Sequence, residues 1–355
     1  MAVVRLKQAQ PNKPNRFHTW KDPEATRIGD SVEQFLGTLP GPTHIHLRGK
    51  DPSRCRFATT LLHGNEPSGL MAVFALLKKR IRPVVDIHLL IPSVDAARQS
   101  PGFMYRMLPQ HKDLNRCFGP GGGDTEQDLL AQEILQIIKS CRPECVIDIH
   151  NTSGSGPSFG VSTFRDCKHD ALVSMFTHRM IVSDLQLGAL MEISSHQMPV
   201  VTIECGGSQD QQSHRLATEG LEYYLTEPDI LRSVQTDLSL EYFRHPLRLE
   251  LSDSSDIAYG DHSLLESGIT LLPNIENYNF GYVDRNNQLG FIAGEIDSVL
   301  SIRNPQGEQP ASTYFELRMG AIYPKQSLKL FMVTTNPEIA RKDCLFYLVS
   351  AEEDS

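Results

Sequence analysis

RFATTLLHGNEPSGLMAVFALLKKR, residues 56–80, predicts a buried strand that leads directly into an amphipathic helix. The strand covers Arg56–Leu62 and is apolar enough for burial on both faces, which is typical of a parallel sheet. The helix covers Pro67–Arg80. Its apolar residues fall on one face, and its last three residues are basic, as the helix dipole favours. Val84–Ile91 follows as another buried strand and ends at a proline.

The alternation of strands and helices continues on both sides of this stretch. Residues 1–42 form an irregular lead-in rich in proline and polar residues, in which we predict one short helix at Ser31–Leu39. Further strands are predicted at Thr43–Arg48, Cys145–Ile149 and Val200–Glu204, and further helices at Thr125–Ser140, Lys168–Met180 and Gln209–Thr226. This order indicates an α/β fold, in which a mostly parallel sheet is flanked by helices on both faces.

Beyond residue 240 the helical periodicity fades, and short β-rich segments take its place. They are predicted at Leu247–Leu251, Gly268–Leu272, Tyr314–Met319, Leu328–Thr334 and Leu345–Val349. Proline, glycine and asparagine residues separate these segments, as in an all-β module. We therefore divide the chain into an α/β domain at 1–240, which includes the lead-in, and a smaller β-rich domain at 241–355.

The composition excludes several classes of partner. The 355 residues are 40% apolar and have a formal net charge of −9, whereas nucleic acids and anionic membranes favour a basic surface. No apolar run approaches the roughly 20 residues that span a bilayer. Seven cysteines are an odd number, and Met1–Lys13 lacks the apolar segment of a secretory signal, so we expect free thiols in the cytoplasm. The sequence leaves open whether the chain forms a homo-oligomer.

Residues with metal-binding side chains gather where predicted strands end. His63 follows the strand Arg56–Leu62 and Glu66 lies three residues later, so an imidazole and a carboxylate can converge across one turn. His150 follows the strand Cys145–Ile149 and should emerge at the same carboxyl edge of the sheet. Two histidines and one glutamate are a standard ligand set for catalytic zinc, which keeps a fourth position for water. A surface or structural role is the alternative for each residue taken alone.

Two acidic residues accompany these candidate ligands. Asp148 precedes His150 by two positions and shares its face of the strand, where a carboxylate can accept the outer N–H of a metal-bound histidine. Glu204 ends an apolar strand, which is an unfavourable place for a charge. Facing the metal, it could take a proton from the bound water and pass it to a leaving amine. Capping of the end of the sheet is the alternative for Asp148, and a helix-capping or loop position is the alternative for Glu204.

Arg106 and the segment Asp113-Leu-Asn-Arg116 lie between the two histidines in the chain. A guanidinium near a metal can hold a substrate carboxylate in a bidentate arrangement or stabilise a tetrahedral oxyanion. A surface salt bridge is the common alternative for any single arginine.

The order of these motifs resembles that of the succinylglutamate desuccinylase/aspartoacylase family, within the wider group of zinc carboxypeptidase-like hydrolases. The motifs are His63-x-x-Glu66, Arg106, Asp113-Leu-Asn-Arg116, Asp148-x-His150 and Ile203-Glu204. The resemblance implies one Zn²⁺ per chain, bound by His63, Glu66 and His150, with Glu204 as general base and acid. It also implies that Asp148 supports a zinc histidine, His63 in preference to His150.

The resemblance covers roughly residues 43–226 and, more loosely, the β-rich tail, which would help to shape the site. It implies that Arg106 polarises the scissile carbonyl and that Asn115 and Arg116 hold a substrate carboxylate. The implied reaction removes the acyl group from an N-acyl amino acid or a similar small amide, and this small molecule is the expected partner.

One departure from the family concerns the substrate side chain. Members that act on acidic N-acyl amino acids use a further arginine shortly before the catalytic glutamate. Residues 180–214 contain no lysine or arginine, and the corresponding stretch contains Glu192 instead. We therefore expect a neutral or cationic substrate side chain near Glu192.

Two other functions stay open. A zinc carboxypeptidase acting on peptides needs the same metal ligands, although the 87 residues from His63 to His150 are few for a peptidase with large loops around its site. A non-catalytic zinc-binding protein on the same fold would have no use for Glu204 and Arg106.

Overall fold

The computed structural model describes residues 16–152, 154, 156–231 and 240–350. A large sheet contains nine strands: β1 (His18–Lys21), β2 (Thr43–Leu47), β3 (Asp51–Thr60), β4 (Val85–Ile91), β5 (Val146–Thr152), β6 (Phe159–Ser162), β7 (Arg179–Val182), β8 (Val200–Gly207) and β9 (Glu241–Arg244). Their spatial order is β1-β2-β4-β3-β5-β8-β6-β7-β9, and neighbours run parallel except in the pairs β2–β4 and β8–β6. The predicted fold class, a mostly parallel sheet flanked by helices, is confirmed.

Helices cover both faces of this sheet: α1 (Ala25–Ile28), α2 (Val32–Thr38), α3 (Ser68–Lys79), α4 (Val94–Arg98), α5 (Glu126–Cys141), α6 (Cys167–Ser174) and α7 (Gln211–Thr226). One face is covered by α3 and α7, and Leu221 shares its buried apolar core with Ile147 of β5. On the other face, Ile134 of α5 shares a core with Val146. Within the described residues, no helix combines the length and the apolar character that crossing a membrane requires.

The C-terminal part of the chain is built from two smaller sheets. Its strands are β10 (Leu247–Leu251), β11 (Asp256–Tyr259), β12 (Gly268–Leu271), β13 (Gly281–Val283), β14 (Gly290–Ala293), β15 (Leu300–Asn304), β16 (Gly307–Pro310), β17 (Phe315–Arg318), β18 (Ala321–Pro324), β19 (Leu328–Phe331) and β20 (Phe346–Ser350). Two short helices accompany them, α8 (Ile296–Val299) and α9 (Pro337–Lys342). Each of the five predicted β-rich segments overlaps one of these strands. The other strands, which are also three to five residues long, were not predicted.

The boundary between the predicted domains stays a prediction. Residues 232–239 lie outside the described part of the chain. The strand that follows them, β9, still belongs to the large sheet, where it pairs with β7. The chain therefore leaves the large sheet after Arg244.

Two predictions of secondary structure are wrong. The lead-in is not irregular from residue 16 onward, because β1 and α1 form there and the buried Trp20 joins the main core. The helix predicted at Lys168–Met180 ends at Ser174, and its last residues belong to β7. Met180 and Ile181 are buried between β6 and β9, and this sheet pairing outweighs the local helical pattern.

The buried Arg56 ties β3 to the end of α7. Its side chain is completely buried, and its Nε donates to Oε1 of Glu144 at 2.5 Å. Its two terminal nitrogens donate to the carbonyl oxygens of Tyr224, at 2.5 Å, and Pro228, at 3.0 Å. Removing the guanidinium leaves the carbonyl oxygen of the buried Tyr224 without this donor, which is a costly change.

We expect Arg56→Met to lower the free energy of unfolding by about 3 kcal/mol, measured by urea denaturation. Arg54→Met is a matched control, because Arg54 pairs with the same Glu144 at 2.8 Å while 40% of its side chain is exposed. The control should lose less than about 1 kcal/mol. Equal losses in the two variants would contradict the assigned role of Arg56.

Candidate active site

His63 and Glu66 lie on the tight turn that joins β3 to α3. Gly64 donates its N–H to the carbonyl oxygen of Arg106 at 2.8 Å, which fixes the turn against a neighbouring loop. A Cβ on Gly64 would lie 2.6 Å from the backbone nitrogen of Ala97, so only glycine fits this close approach. The turn thereby holds both candidate ligands at the carboxyl edge of the sheet.

His63, Glu66 and His150 converge on one point. The Nδ1 of His63 lies 2.7 Å from Oε1 of Glu66, and the Nδ1 of His150 lies 2.7 Å from Oε2 of the same glutamate. One ligand atom from each residue lies within 4.8 Å of the others, and all three residues are buried. No other group of histidine, cysteine and acidic residues in the described ranges meets this spacing. The three residues form a candidate metal centre.

The outer nitrogen of each histidine faces a carboxylate. The Nε2 of His63 lies 2.8 Å from Oδ1 of Asp113, and the Nε2 of His150 lies 2.7 Å from Oδ2 of Asp148. The prediction that Asp148 supports His63 in preference to His150 is therefore wrong. Asp148 and His150 lie two residues apart on the same face of β5, so this carboxylate is next to the histidine of its own strand. Thr59 donates its hydroxyl to Asp148 and holds the carboxylate in place.

Arg106 is placed beside the candidate metal centre by acidic residues. Its Nε and Nη2 donate to Oδ2 of Asp113 at 3.1 and 2.8 Å, and its Nη1 lies 3.4 Å from Oε1 of Glu66. Burial alone would lower the pKa of Arg106, but the two carboxylates raise it above its usual value. The guanidinium is therefore a fixed positive charge in the cleft.

Glu204 lies next to His150 on the neighbouring strand. The strands β5 and β8 run parallel with His150 opposite Glu204, so both side chains leave the sheet at the same edge. Glu204 is buried, and its Oε2 has no hydrogen-bond partner among the described residues. Burial, opposed by His150 and reinforced by Glu66, raises the pKa of Glu204 to about 7. A carboxyl group with this pKa can accept and return a proton near neutral pH.

Asn115 and Arg116 lie on a helical turn that Asp113 begins. Asp113 accepts the backbone N–H of Asn115 at 2.8 Å, and the side-chain oxygen of Asn115 accepts the N–H of Leu190 at 2.9 Å. Both Asn115 and Arg116 line the cleft. The Nη2 of Arg116 also donates to Oδ1 of Asp343 at 3.1 Å, a contact that the sequence did not predict.

Glu192 does not belong to this group. Its carboxylate oxygens accept three backbone N–H groups of the preceding loop, from Leu187, Gly188 and Ala189, at 2.7, 3.1 and 3.0 Å. Glu192 also does not line the cleft that contains the other candidates. The expectation that Glu192 contacts the substrate side chain is therefore wrong. Its carboxylate instead stabilises the loop that precedes it.

Two contributors to the site were missed by sequence reasoning. Asn151 binds Ser68 and Gly206 through its side chain, and so ties the start of α3 to the end of β8. It directly follows His150, and this position is the only signal in the sequence. Asp343 lies 227 residues from Arg116 in the chain, and no motif marks it.

All the candidate residues except Asp148 and Glu192 line one cleft of about 790 Å³, part of which is open solvent. The His₂Glu cluster forms one wall, with Glu204 and Arg106 beside it. Strand ends of the large sheet and residues of the C-terminal sheets form the rest. A buried His₂Glu cluster beside a carboxylate at the carboxyl edge of an α/β sheet is typical of zinc hydrolases.

Several solved structures have a fold similar to that of this chain. The succinylglutamate desuccinylase of Vibrio parahaemolyticus is 13% identical at a TM-score of 0.55, with 90% of this chain and 94% of that chain covered. A succinylglutamate desuccinylase/aspartoacylase of Rhodobacter sphaeroides is 15% identical at 0.54, covering 87% and 88%. Murine aminoacylase 3 is 14% identical at 0.52, covering 84% and 96%. No family model matches the sequence, and no curated protein does either. The fold implied by the motifs is thereby confirmed.

Proposed function

We propose that this chain is a zinc-dependent amidohydrolase that removes the acyl group from an N-acyl amino acid or a similar small amide. One observation carries the proposal. The buried His63, Glu66 and His150 lie beside Glu204, whose buried Oε2 has no hydrogen-bond partner among the described residues. Such an oxygen is costly to bury, and a role in proton transfer accounts for it. The names of proteins with this fold, a desuccinylase and an aminoacylase, support a reaction at an amide bond.

The donor set fits Zn²⁺. With zinc bound, Asp113 and Asp148 would each accept an N–H from the Nε2 of a histidine, 2.8 and 2.7 Å away, which would leave both Nδ1 atoms, on the side of Glu66, free to hold the ion. Two imidazole nitrogens and one carboxylate are ligands that zinc prefers, and a carboxylate behind each histidine fixes its tautomer. When bound there, the ion supplies a Lewis acid and lowers the pKa of a bound water.

Glu204 moves the proton. In this proposal its Oε2 accepts a proton from the attacking water and then donates it to the leaving amine nitrogen. Burial raises the pKa of Glu204 above its usual value, which helps this carboxylate to accept a proton near neutral pH. The water oxygen bonds to the carbonyl carbon, the carbon–nitrogen bond breaks, and the products are a carboxylic acid and a free amine.

The guanidinium and amide groups orient the substrate. Arg106 is held in the cleft by Asp113 and donates to the oxygen that becomes negative in the transition state. Asn115 and Arg116 bind a carboxylate of the amino-acid part and so align the amide bond with Glu204. These two roles rest on the positions of the side chains in the cleft.

The cellular setting stays a prediction. All seven cysteines are free, which supports the cytoplasm as the expected compartment. We expect a small N-acylated molecule as the partner, and neither nucleic acid nor membrane. Assembly into a homo-oligomer is left open.

Release of free amino groups from N-acetyl-L-amino acids tests the proposed function. Zinc-loaded protein is expected to hydrolyse at least one member of a panel with acidic, basic, polar and apolar side chains. It should not release C-terminal residues from tetrapeptides with a free N-terminus. Faster release from the peptides would instead indicate a carboxypeptidase, and no release from either set would indicate a zinc-binding protein without turnover.

A further inference from the structure

The positive charges that line the cleft are already balanced within the protein. Among the described residues of the cleft wall, only Arg106 and Arg116 have a permanent positive charge. Arg106 pairs with Asp113 at 2.8 Å, and Arg116 pairs with Asp343 at 3.1 Å. The α-carboxylate of a substrate would therefore share Arg116 with Asp343, and a second acidic group would find no further arginine in the described cleft wall.

Asp343 is held in this wall by two arginines. It directly follows α9, and its Oδ1 also accepts a hydrogen bond from Arg248 at 2.5 Å. Arg248 in turn pairs with Glu250 at 3.2 Å, and Glu250 also pairs with Arg303 at 2.9 Å, so Asp343 belongs to a chain of alternating charges. Burial alone would raise the pKa of Asp343, but Arg116 and Arg248 hold it below its usual range. The carboxylate is therefore ionised where it faces the cleft.

The remaining wall of the cleft is largely apolar. Its side chains come from β6, β7, the loop before Glu192, and the C-terminal strands β19 and β20. They include Val161, Ile181, Leu187, Met191, Phe331 and Tyr347. A charged substrate group placed against this surface would lose its hydration without gaining a partner, whereas an apolar group would be stabilised by burial.

On the basis of the proposed function, we propose that this cleft selects N-acyl amino acids with a neutral, apolar side chain, and that Asp343 sets the rejection of acidic side chains. Arg116 with its Asp343 partner accepts the one α-carboxylate of the substrate. A second carboxylate on the substrate would be repelled by the negative charge of Asp343. It would also lose its hydration against the apolar wall. Asp343 thus determines specificity through charge and takes no part in the proton transfer.

Three substrates of similar shape separate the effect of the apolar wall from the effect of the charge on Asp343. N-acetyl-L-leucine, N-acetyl-L-asparagine and N-acetyl-L-aspartate have side chains of closely similar size that are apolar, polar and negatively charged. We expect kcat/KM to fall in that order, with at least about 30-fold between leucine and aspartate. The ratio of leucine to asparagine measures the apolar wall, and the ratio of asparagine to aspartate measures the charge effect.

Two variants should change these ratios independently. Asp343→Asn keeps an acceptor for Arg116 and Arg248 but removes the negative charge, so the asparagine-to-aspartate ratio should fall by about 10-fold. Ile181→Ser should lower the leucine-to-asparagine ratio and leave the other ratio unchanged. Asp256→Asn is the matched control, because Asp256 forms an exposed ion pair with Arg341 outside the cleft and should change neither ratio.

The wild-type panel keeps the inference testable even if a variant fails to fold. Hydrolysis of the aspartate substrate as fast as the leucine substrate would overturn the selectivity and leave the proposed function standing. An unchanged asparagine-to-aspartate ratio in folded Asp343→Asn would overturn the role of Asp343. Hydrolysis of none of the broader panel would overturn the proposed function itself, and this inference with it.

Discussion

Glu204→Gln is expected to lower kcat for amide hydrolysis by about 10²–10⁴-fold while the protein keeps its zinc. The substitution preserves the size of the side chain and removes only its ability to accept and return a proton. Glu204 lies opposite His150 on paired strands, and its Oε2 is buried without a partner among the described residues. The loss should therefore appear in turnover and leave metal binding unchanged. Initial rates of amine release and zinc content by elemental analysis measure the two properties on the same sample.

Glu219→Gln is the matched control for this variant. Glu219 is exposed on α7, so the same change in charge should leave kcat within about two-fold of the wild type. A Glu204→Gln protein with full turnover would contradict the assignment of the general base. Loss of zinc from this variant would show that Glu204 is a ligand.

His63→Ala and His150→Ala are each expected to weaken zinc binding by at least about 10³-fold and to abolish hydrolysis. Each histidine supplies one of the three candidate ligands, and the remaining two cannot complete the set that a catalytic zinc site requires. Equilibrium dialysis against zinc, followed by elemental analysis, measures the bound metal per chain.

His44→Ala controls for the loss of a histidine as such. His44 lies on β2, where it contacts His88 at 2.9 Å and is outside the cleft. The control should bind about one zinc per chain and keep its activity. About one tightly bound zinc per chain in either the His63 or the His150 variant would show that the ligands are assigned wrongly.

The order of elements in the large sheet was predictable because burial leaves a regular pattern. The apolar run at Arg56–Leu62 and the amphipathic Pro67–Arg80 correspond to β3 and α3. Once those strands are parallel, side chains at their carboxyl ends must meet, so the grouping of His63 with His150 also followed from the sequence. A short strand such as β7 leaves no such pattern, and its pairing with β6 and β9 decides its structure.

The partners of the candidate ligands were only partly predictable. Asp148 and His150 share a strand face, so their contact follows from periodicity alone, although the motif resemblance favoured His63. Asp113 reaches His63 from a separate loop, and its position depends on how that loop packs. Glu192 could not be placed by sequence, because its three backbone partners form only after the loop has folded.

The position of Asp343 in the cleft could not be predicted from sequence motifs. Its contact with Arg116 joins the C-terminal sheets to the cleft across 227 residues of chain. No local pattern around Asp343 indicates that its carboxylate faces a candidate active site. Such a contact is set by the packing of the β-rich part against the large sheet, and only the structure reveals it.

Zinc titration of the metal-free wild-type protein tests the central claim most directly. Protein freed of metal by a chelator receives Zn²⁺ in steps, and the initial rate of amine release from N-acetyl-L-leucine is recorded after each step. We expect no activity without metal, a linear rise, and a plateau at about one zinc per chain. Hydrolysis at the full rate in the metal-free protein, or a zinc-loaded protein that releases no amine from any N-acyl amino acid, would contradict it.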